Sequence, residues 1–216
     1  MLVNWNDVDT VLLDMDGTLL DRNFDDHFWL EHVPKRYAAK HHLPLPEVKE
    51  KLYSMFRSQE NSLNWTNLDY WSDQLGMDIP LLKHEVDHLI AVHPHVIRFL
   101  DFLRASGKKV HLVTNAHGKT LKIKMDKTRI GGLFDSIVSA HDLGLPKEMV
   151  AFWGELQKVI PYDPERTMLG EDSERNLETA AEYGIRHLVY ISAPNSTLEP
   201  KASDRFLSVH SFGELF

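Results

Sequence analysis

The sequence predicts an α/β fold, a doubly wound parallel sheet carrying one helical insertion, on three observations. From residue 93 onward, short apolar runs ending in polar residues alternate with amphipathic helical patterns. An earlier run, Val11-Leu12-Leu13, lacks the apolar/polar alternation of a half-exposed strand and reads as a strand covered on both faces. Between the two regions, residues 25–89 hold several helical patterns and no convincing strand, as an insertion into an alternating chain would.

The first strand leads into residues 10–20, TVLLDMDGTLL. Asp14 stands where the strand stops. Asp16, two places on, points to the same side of an extended chain, so both carboxylates can share one small site, and Gly17 lets backbone approach a ligand closely. Carboxylates that close repel each other unless a cation or a shared proton intervenes. Asp and Gly also serve ordinary turns, so the downstream residues decide between the two readings.

In the insertion, Phe28, Trp29, Val33 and Tyr37 recur at helical spacing, with Pro34 marking a helix start or kink. Pro46 opens a second helix, whose apolar face is Val48, Leu52, Met55 and Phe56. Thr66 is the expected cap of a third, which carries Leu68, Trp71 and Leu75 and ends at Gly76. Residues 79–92 read as a fourth. It contains His84-Glu85-Val86-Asp87-His88, a match to the H-E-x-x-H zinc pattern. Leu82, Val86, Leu89 and His93 would share its apolar face, which turns His84 and His88 toward solvent and favours a solvated face over a metal site.

After residue 93, Pro94 starts a helix with Val96, Ile97, Leu100 and Leu103, followed by Gly107. A strand over 110–114 ends in Thr114-Asn115, and a helix over 119–129 precedes a Gly131-Gly132 turn and a short strand at Ile137-Val138. Pro146-Lys147 is expected to open a helix through Phe152, Trp153, Leu156 and Val159. A strand over 167–170 ends in Glu171-Asp172, a helix over 173–182 stops at Gly184, and a strand occupies 187–191. Residues 206–216 add a short strand and a terminal helix.

The chain of 216 residues can bury a sizeable core as one large domain or one domain with an insertion. Its net charge of -8 argues against a broad nucleic-acid or anionic-membrane surface, so an anionic substrate must be met by local cations. The absence of Cys excludes disulfides, thiolate zinc sites and a cysteine nucleophile. With no basic, apolar leader and no membrane-length apolar run, the sequence is expected to be cytoplasmic.

Polar residues gather where strands end, the ligand-binding edge of a parallel sheet: Asp14 and Asp16, Thr114 and Asn115, Glu171 and Asp172, with Lys147 at a helix start. An oxygen-rich set without Cys suits Mg²⁺ better than zinc or copper. A hard cation, a lysine and a hydroxyl together meet the needs of a transferring phosphoryl group. Singly, each is equally at home in a turn, on a solvated helix or at an acidic helix start. Their joint order beside successive strand ends favours a site.

These pieces, DMDGT from Asp14, Thr114-Asn115, Lys147 and GEDS from Gly170, resemble the haloacid dehalogenase-like hydrolase superfamily. The resemblance implies a Rossmann-like core of residues 1–20 and 93–216 with a helical cap of residues 21–92. LNWTNLDYWSDQLG from Leu63, TNAH from Thr114 and LGLPKE from Leu143 look like the bacterial GMP/IMP nucleotidase group. What this implies is a Mg²⁺-dependent phosphomonoesterase. Asp14 would be the nucleophile that forms an aspartyl-phosphate, and Asp16 the acid that protonates the leaving oxygen and then the base that activates water. Asp14, Asp172 and Asp16 through its carbonyl, with Glu171 beside them, would hold the metal, and Thr114, Asn115 and Lys147 the phosphate. The chain departs from many relatives in reading Lys147-Glu148-Met149 where Pro-Asp-Pro often follows the lysine, and Glu171-Asp172 where two aspartates are common. Asp16 favours a phosphatase over a dehalogenase, which has no leaving oxygen to protonate.

The expected substrate is a purine nucleoside 5′-monophosphate, GMP or IMP, with Asn64 and Trp65 of the insertion choosing the base by hydrogen bonding and stacking, the other reading being that Trp65 and Trp71 pack the insertion's own small core. Sugar phosphates or other small monoesters are the alternative. A receiver-like phospho-switch would carry its acceptor on a later strand and lack the insertion, and a zinc peptidase would rest on residues 84–88 alone.

Overall fold

The structure, a computed structural model, describes residues 2–216; Met1, the first residue of the expected core, lies outside them. Six strands, β1 (Thr10–Leu13), β2 (Lys109–Thr114), β3 (Ser136–Ser139), β4 (Thr167–Glu171), β5 (His187–Ile191) and β6 (Leu207–Val209), form one sheet in the order β3-β2-β1-β4-β5-β6. Every neighbouring pair is parallel. The doubly wound sheet expected from the sequence is thus present, with β1 at its centre.

The strand period of two divides β1 between the faces. Val11 and Leu13 face the helices α6 (Val96–Ala105) and α7 (Gly118–Thr128), packing with Val96, Phe99, Leu100 and Ile123. Leu12 faces the other way, into a cluster with Phe152, Trp153 and Leu156 of α9 (Val150–Val159) and Leu177 of α10 (Glu174–Tyr183). Val11, Leu12 and Leu13 are all fully buried, which is why this strand shows no polar alternation.

Residues 23–89 hold helices joined by turns and no strand. They comprise α1 (Asn23–His27), a π-type turn over Phe28–His32, α2 (Val33–His41), α3 (Leu45–Arg57), α4 (Leu68–Leu75) and α5 (Ile79–Glu85). Pro34 has no N–H to give the Leu30 carbonyl, and that carbonyl instead accepts from the Tyr53 hydroxyl of α3 at 2.7 Å. The segment has its own aromatic core, in which Trp71 lies 5.0 Å from Phe56 and 6.1 Å from Trp29, ring centre to ring centre.

Several expected boundaries move. Asn67, not Thr66, caps α4, its side chain accepting from the backbone N–H groups of Asp69 and Tyr70. The helix expected over 79–92 ends at Glu85, because Val86 leaves helical geometry (φ -120°, ψ 14°), and a single 3₁₀ turn follows. The helix expected from Pro146 starts at Val150, and the preceding chain holds a short helix, α8 (Ala140–Leu143), that the pattern did not reveal. The terminal helix is one 3₁₀ turn, Phe212–Glu214. Among the described residues no helix is long and apolar enough to cross a membrane.

Candidate active site

Parallel pairing sets Leu13 beside both Leu112 of β2 and Gly170 of β4, so the residues that follow all three emerge at one edge. Asp14 is fixed there by its backbone N–H, which donates to the Gly170 carbonyl at 3.0 Å. Lys147 reaches the same point from the turn before α9. Its ammonium donates to Asp14 Oδ1 at 2.5 Å, Glu171 Oε2 at 2.7 Å and the Val113 carbonyl at 3.2 Å, which uses all three hydrogens. Burial works against the ammonium, but Asp14 and Glu171 together raise its pKa, so Lys147 stays charged.

Burial, then repulsion from Glu171, pushes the Asp14 carboxyl up to about 6 despite Lys147. Asp172 is raised well above its ordinary value by the same causes, burial first and then Glu171 and Asp14, against the pull of Arg22, whose guanidinium donates to Asp172 Oδ2 at 2.8 Å. Single oxygens of Asp14, Glu171 and Asp172 lie within 4.8 Å of one another. Gly17 makes room for this cluster. Its φ of +87° lies in the left-handed region, and an added Cβ would sit 2.3 Å from Asp172 Oδ2.

Asp16 is held separately. Its side chain is one-quarter exposed, and its Oδ1 accepts from Lys124 of α7 at 2.5 Å. Lys124 also bonds Asp25 of α1, and Asp25 takes a second lysine, Lys83 of α5, at 3.0 Å. The carboxylate of Asp16 is therefore outside the three-oxygen cluster.

The remaining expected residues divide. The Thr114 hydroxyl is buried and accepts from the Ala116 N–H at 3.0 Å. Asn115 is committed on both ends, its Oδ1 accepting from the Lys147 N–H at 3.0 Å and its Nδ2 donating to Glu148 at 2.9 Å, so it holds the lysine turn. Trp65 is 41% exposed and lines the cavity above the strand ends. Asn64 does not line it: its amide donates to Gln59 Oε1 at 3.0 Å, away from the site. The cavity has a volume of about 640 Å³, with Asp14, Asp16, Thr114, Lys147 and Asp172 on its floor and Trp29, Tyr53, Phe56, Trp65 and Trp71 from the helices opposite.

Sequence reasoning missed Arg22, Asp25, Lys83 and Lys124. The two lysines left a faint signal. Lys83 adjoins the buried Leu82, and Lys124 falls four residues after the buried Thr120, positions that an amphipathic helix normally fills with apolar residues. His84 and His88 are both exposed, and the helix break at Val86 removes the one-turn spacing that a zinc pair needs.

A sequence model described as haloacid dehalogenase-like hydrolase matches residues 11–190. The chain belongs to this hydrolase family. The GMP/IMP nucleotidase YrfG of Escherichia coli (strain K12) is 38% identical over 213 residues, 99% of this chain and 96% of that protein. Pyrophosphatase PpaX of Bacillus velezensis is 27% identical over 143 residues, 65% of this chain and 63% of its own length. Among solved structures, a HAD phosphatase from Thermococcus onnurineus superposes with a TM-score of 0.82 at 20% identity, each chain covered to 96%. The L-2-haloacid dehalogenase of Xanthobacter autotrophicus, with chloropropionic acid covalently bound, gives 0.58 at 12% identity, again with 96% of each chain covered. These distant likenesses establish the fold, and the family match makes this protein an enzyme, a hydrolase.

Proposed function

We propose that this phosphoric monoester hydrolase is a 5′-nucleotidase acting on purine nucleoside monophosphates, GMP and IMP, with residues 21–92 as a cap over a core of residues 1–20 and 93–216. The observation that carries the reading is one cavity with two unlike walls, ionic at the strand ends and aromatic opposite. Its volume suits a ligand of nucleotide size. The near full-length likeness to a GMP/IMP nucleotidase favours a purine base among the groups an aromatic wall can take.

In this reading Asp14 attacks phosphorus. The bond to the 5′ oxygen breaks, and Asp16 supplies that oxygen with a proton. Asp16 then takes a proton from water, the water oxygen bonds phosphorus, and the bond to Asp14 breaks to release inorganic phosphate. Lys147 now grips Asp14 and Glu171, so a bound phosphate would share a lysine already beside the attacking oxygen.

The donor set fits Mg²⁺: the three converging carboxylates are hard oxygens, and burial, followed by their mutual repulsion, raises Asp14 and Asp172. Asp14 and Asp172 would hold the ion with the Asp16 carbonyl. Glu171 stands next to them, although its oxygens already accept from Lys147 and from the N–H groups of Asp172 and Ser173. A bound Mg²⁺ would offset the repulsion between the Asp14 carboxylate and the phosphate dianion.

Phosphate release across nucleoside 5′-monophosphates, sugar phosphates and small esters, with Mg²⁺ and after its removal, tests the proposal. IMP and GMP are expected to give the highest kcat/KM, and chelation to abolish turnover. Preference for a sugar phosphate would overturn the substrate, and full turnover without divalent ions would overturn the metal.

A further inference from the structure

We propose that Lys124 is a positioning residue, holding one oxygen of Asp16 so that the other serves the leaving group. The inference rests on the role given to Asp16 above.

Lys124 is 1% exposed, on the face of α7 that also buries Thr120 and Ile123. Burying an ammonium is costly unless it is paired, and a well-packed apolar side chain usually serves stability at least as well as a buried ion pair. Stability alone therefore gives no reason for a lysine here. Geometry does: its Nζ donates to Asp16 Oδ1 at 2.5 Å, and among the described residues no hydrogen bond is found at Asp16 Oδ2, on a side chain that lines the cavity. One oxygen is pinned and its neighbour is left to the substrate.

The rest of the network keeps the pin in place. Asp25 bonds Lys124 and Lys83, and although burial opposes its charge, the two lysines hold its carboxyl down to about 2. The Lys124 ammonium also lies 5.1 Å from the Phe24 ring centre. The nearby cations are spoken for, since Lys147 bonds Asp14 and Glu171 while Arg22 bonds Asp172. Without Lys124, Asp16 would feel the repulsion of Asp25 and Asp14 with no cation bonded to it, the nearby Lys83 being bonded to Asp25. A carboxylate in that position swings away from its like-charged neighbours and from the leaving oxygen.

This predicts a selective defect. A 5′-alkoxide needs a proton to leave, whereas p-nitrophenolate leaves without one, so mispositioning Asp16 should penalise the first far more. The experiment measures kcat/KM over a series of aryl and alkyl phosphates, including IMP and p-nitrophenyl phosphate, for the wild type, Lys124→Met, Lys124→Gln and Asp16→Asn. Lys124→Met is expected to lose about a hundredfold on IMP and under about tenfold on p-nitrophenyl phosphate, following the steep leaving-group dependence of Asp16→Asn. A uniform loss across the series, or none, overturns the assignment. If Lys124→Met does not fold, the slope in Lys124→Gln decides by the same criterion. A flat series for Asp16→Asn would instead remove the role of Asp16, and the positioning role with it, whereas a steep Asp16→Asn series beside a flat lysine series overturns Lys124 alone.

Discussion

On the strand-end wall of the cavity, Asp14, Lys147 and Glu171 are each at most 5% exposed and are tied together by bonds of 2.5 and 2.7 Å. On the helical wall Trp65 is 41% exposed on a short 3₁₀ turn, held from behind by its carbonyl, which accepts from the buried Trp71 indole at 3.0 Å. The first wall is positioned by sheet register, which cannot slip without turning every β1 side chain to the wrong face. The second is positioned by side-chain packing among helices, which tolerates exchange of volume. Chemistry that fails with small displacements belongs on the first wall, and recognition that must differ between substrates belongs on the second.

The comparison is broken most severely by Asp14→Asn. An amide of similar size keeps the packing but is a poor nucleophile, so turnover should fall about ten-thousand-fold or more on every ester, with the protein still folded by circular dichroism. Near wild-type phosphate release would remove Asp14 as the nucleophile.

Gly17→Ala tests the same wall through its backbone. A left-handed φ costs an ordinary residue about 1–2 kcal/mol, and the new Cβ must displace Asp172. We expect about a tenfold to hundredfold loss of kcat/KM and a rise in the Mg²⁺ concentration needed for half-maximal activity. An unchanged Mg²⁺ requirement would mean that Asp172 does not help hold the metal.

A smaller effect sharpens the electrostatic side. Burial and Glu171 raise the folded-state pKa of Asp14 from its ordinary 3.8 to about 6, so in that window the folded state binds more protons than the unfolded chain. The stability of the metal-free protein should therefore fall as pH rises from about 4 to about 6. Mg²⁺, if it binds the ionised carboxylates as proposed, should restore it. The Tm difference between Mg²⁺-loaded and metal-free protein is expected to widen from about pH 4 to about pH 7, and a constant difference would argue against repulsion among the carboxylates.

The two walls also differed in how far the sequence revealed them. β1, the strand ends and the places of Asp14, Asp16, Lys147 and Asp172 were legible because a fully buried strand has a distinct pattern and a parallel sheet gathers its polar residues at one edge. The helical wall was legible as helices but not as surfaces. Asn64 was expected to face the base, yet its amide is satisfied by Gln59, a local bond that composition does not announce. Thr66 was expected to cap a helix, yet it donates to the Asn115 carbonyl at 2.6 Å and ties this segment to the loop after β2, while Asn67 beside it caps. Lys83 and Lys124 left only a faint signal because lysine on a helix is ordinarily solvated, and only tertiary packing buries these two against Asp25 and Asp16.

The division of labour between the walls is tested most directly by kcat/KM of Trp65→Ala on IMP and on p-nitrophenyl phosphate, measured side by side. Stacking of a base on an aromatic side chain contributes about 1–3 kcal/mol, so the ratio of IMP to p-nitrophenyl phosphate should fall by about fivefold or more while the small ester is turned over nearly as before. Equal losses on both esters, or none on either, would contradict the claim that the helical wall chooses the substrate.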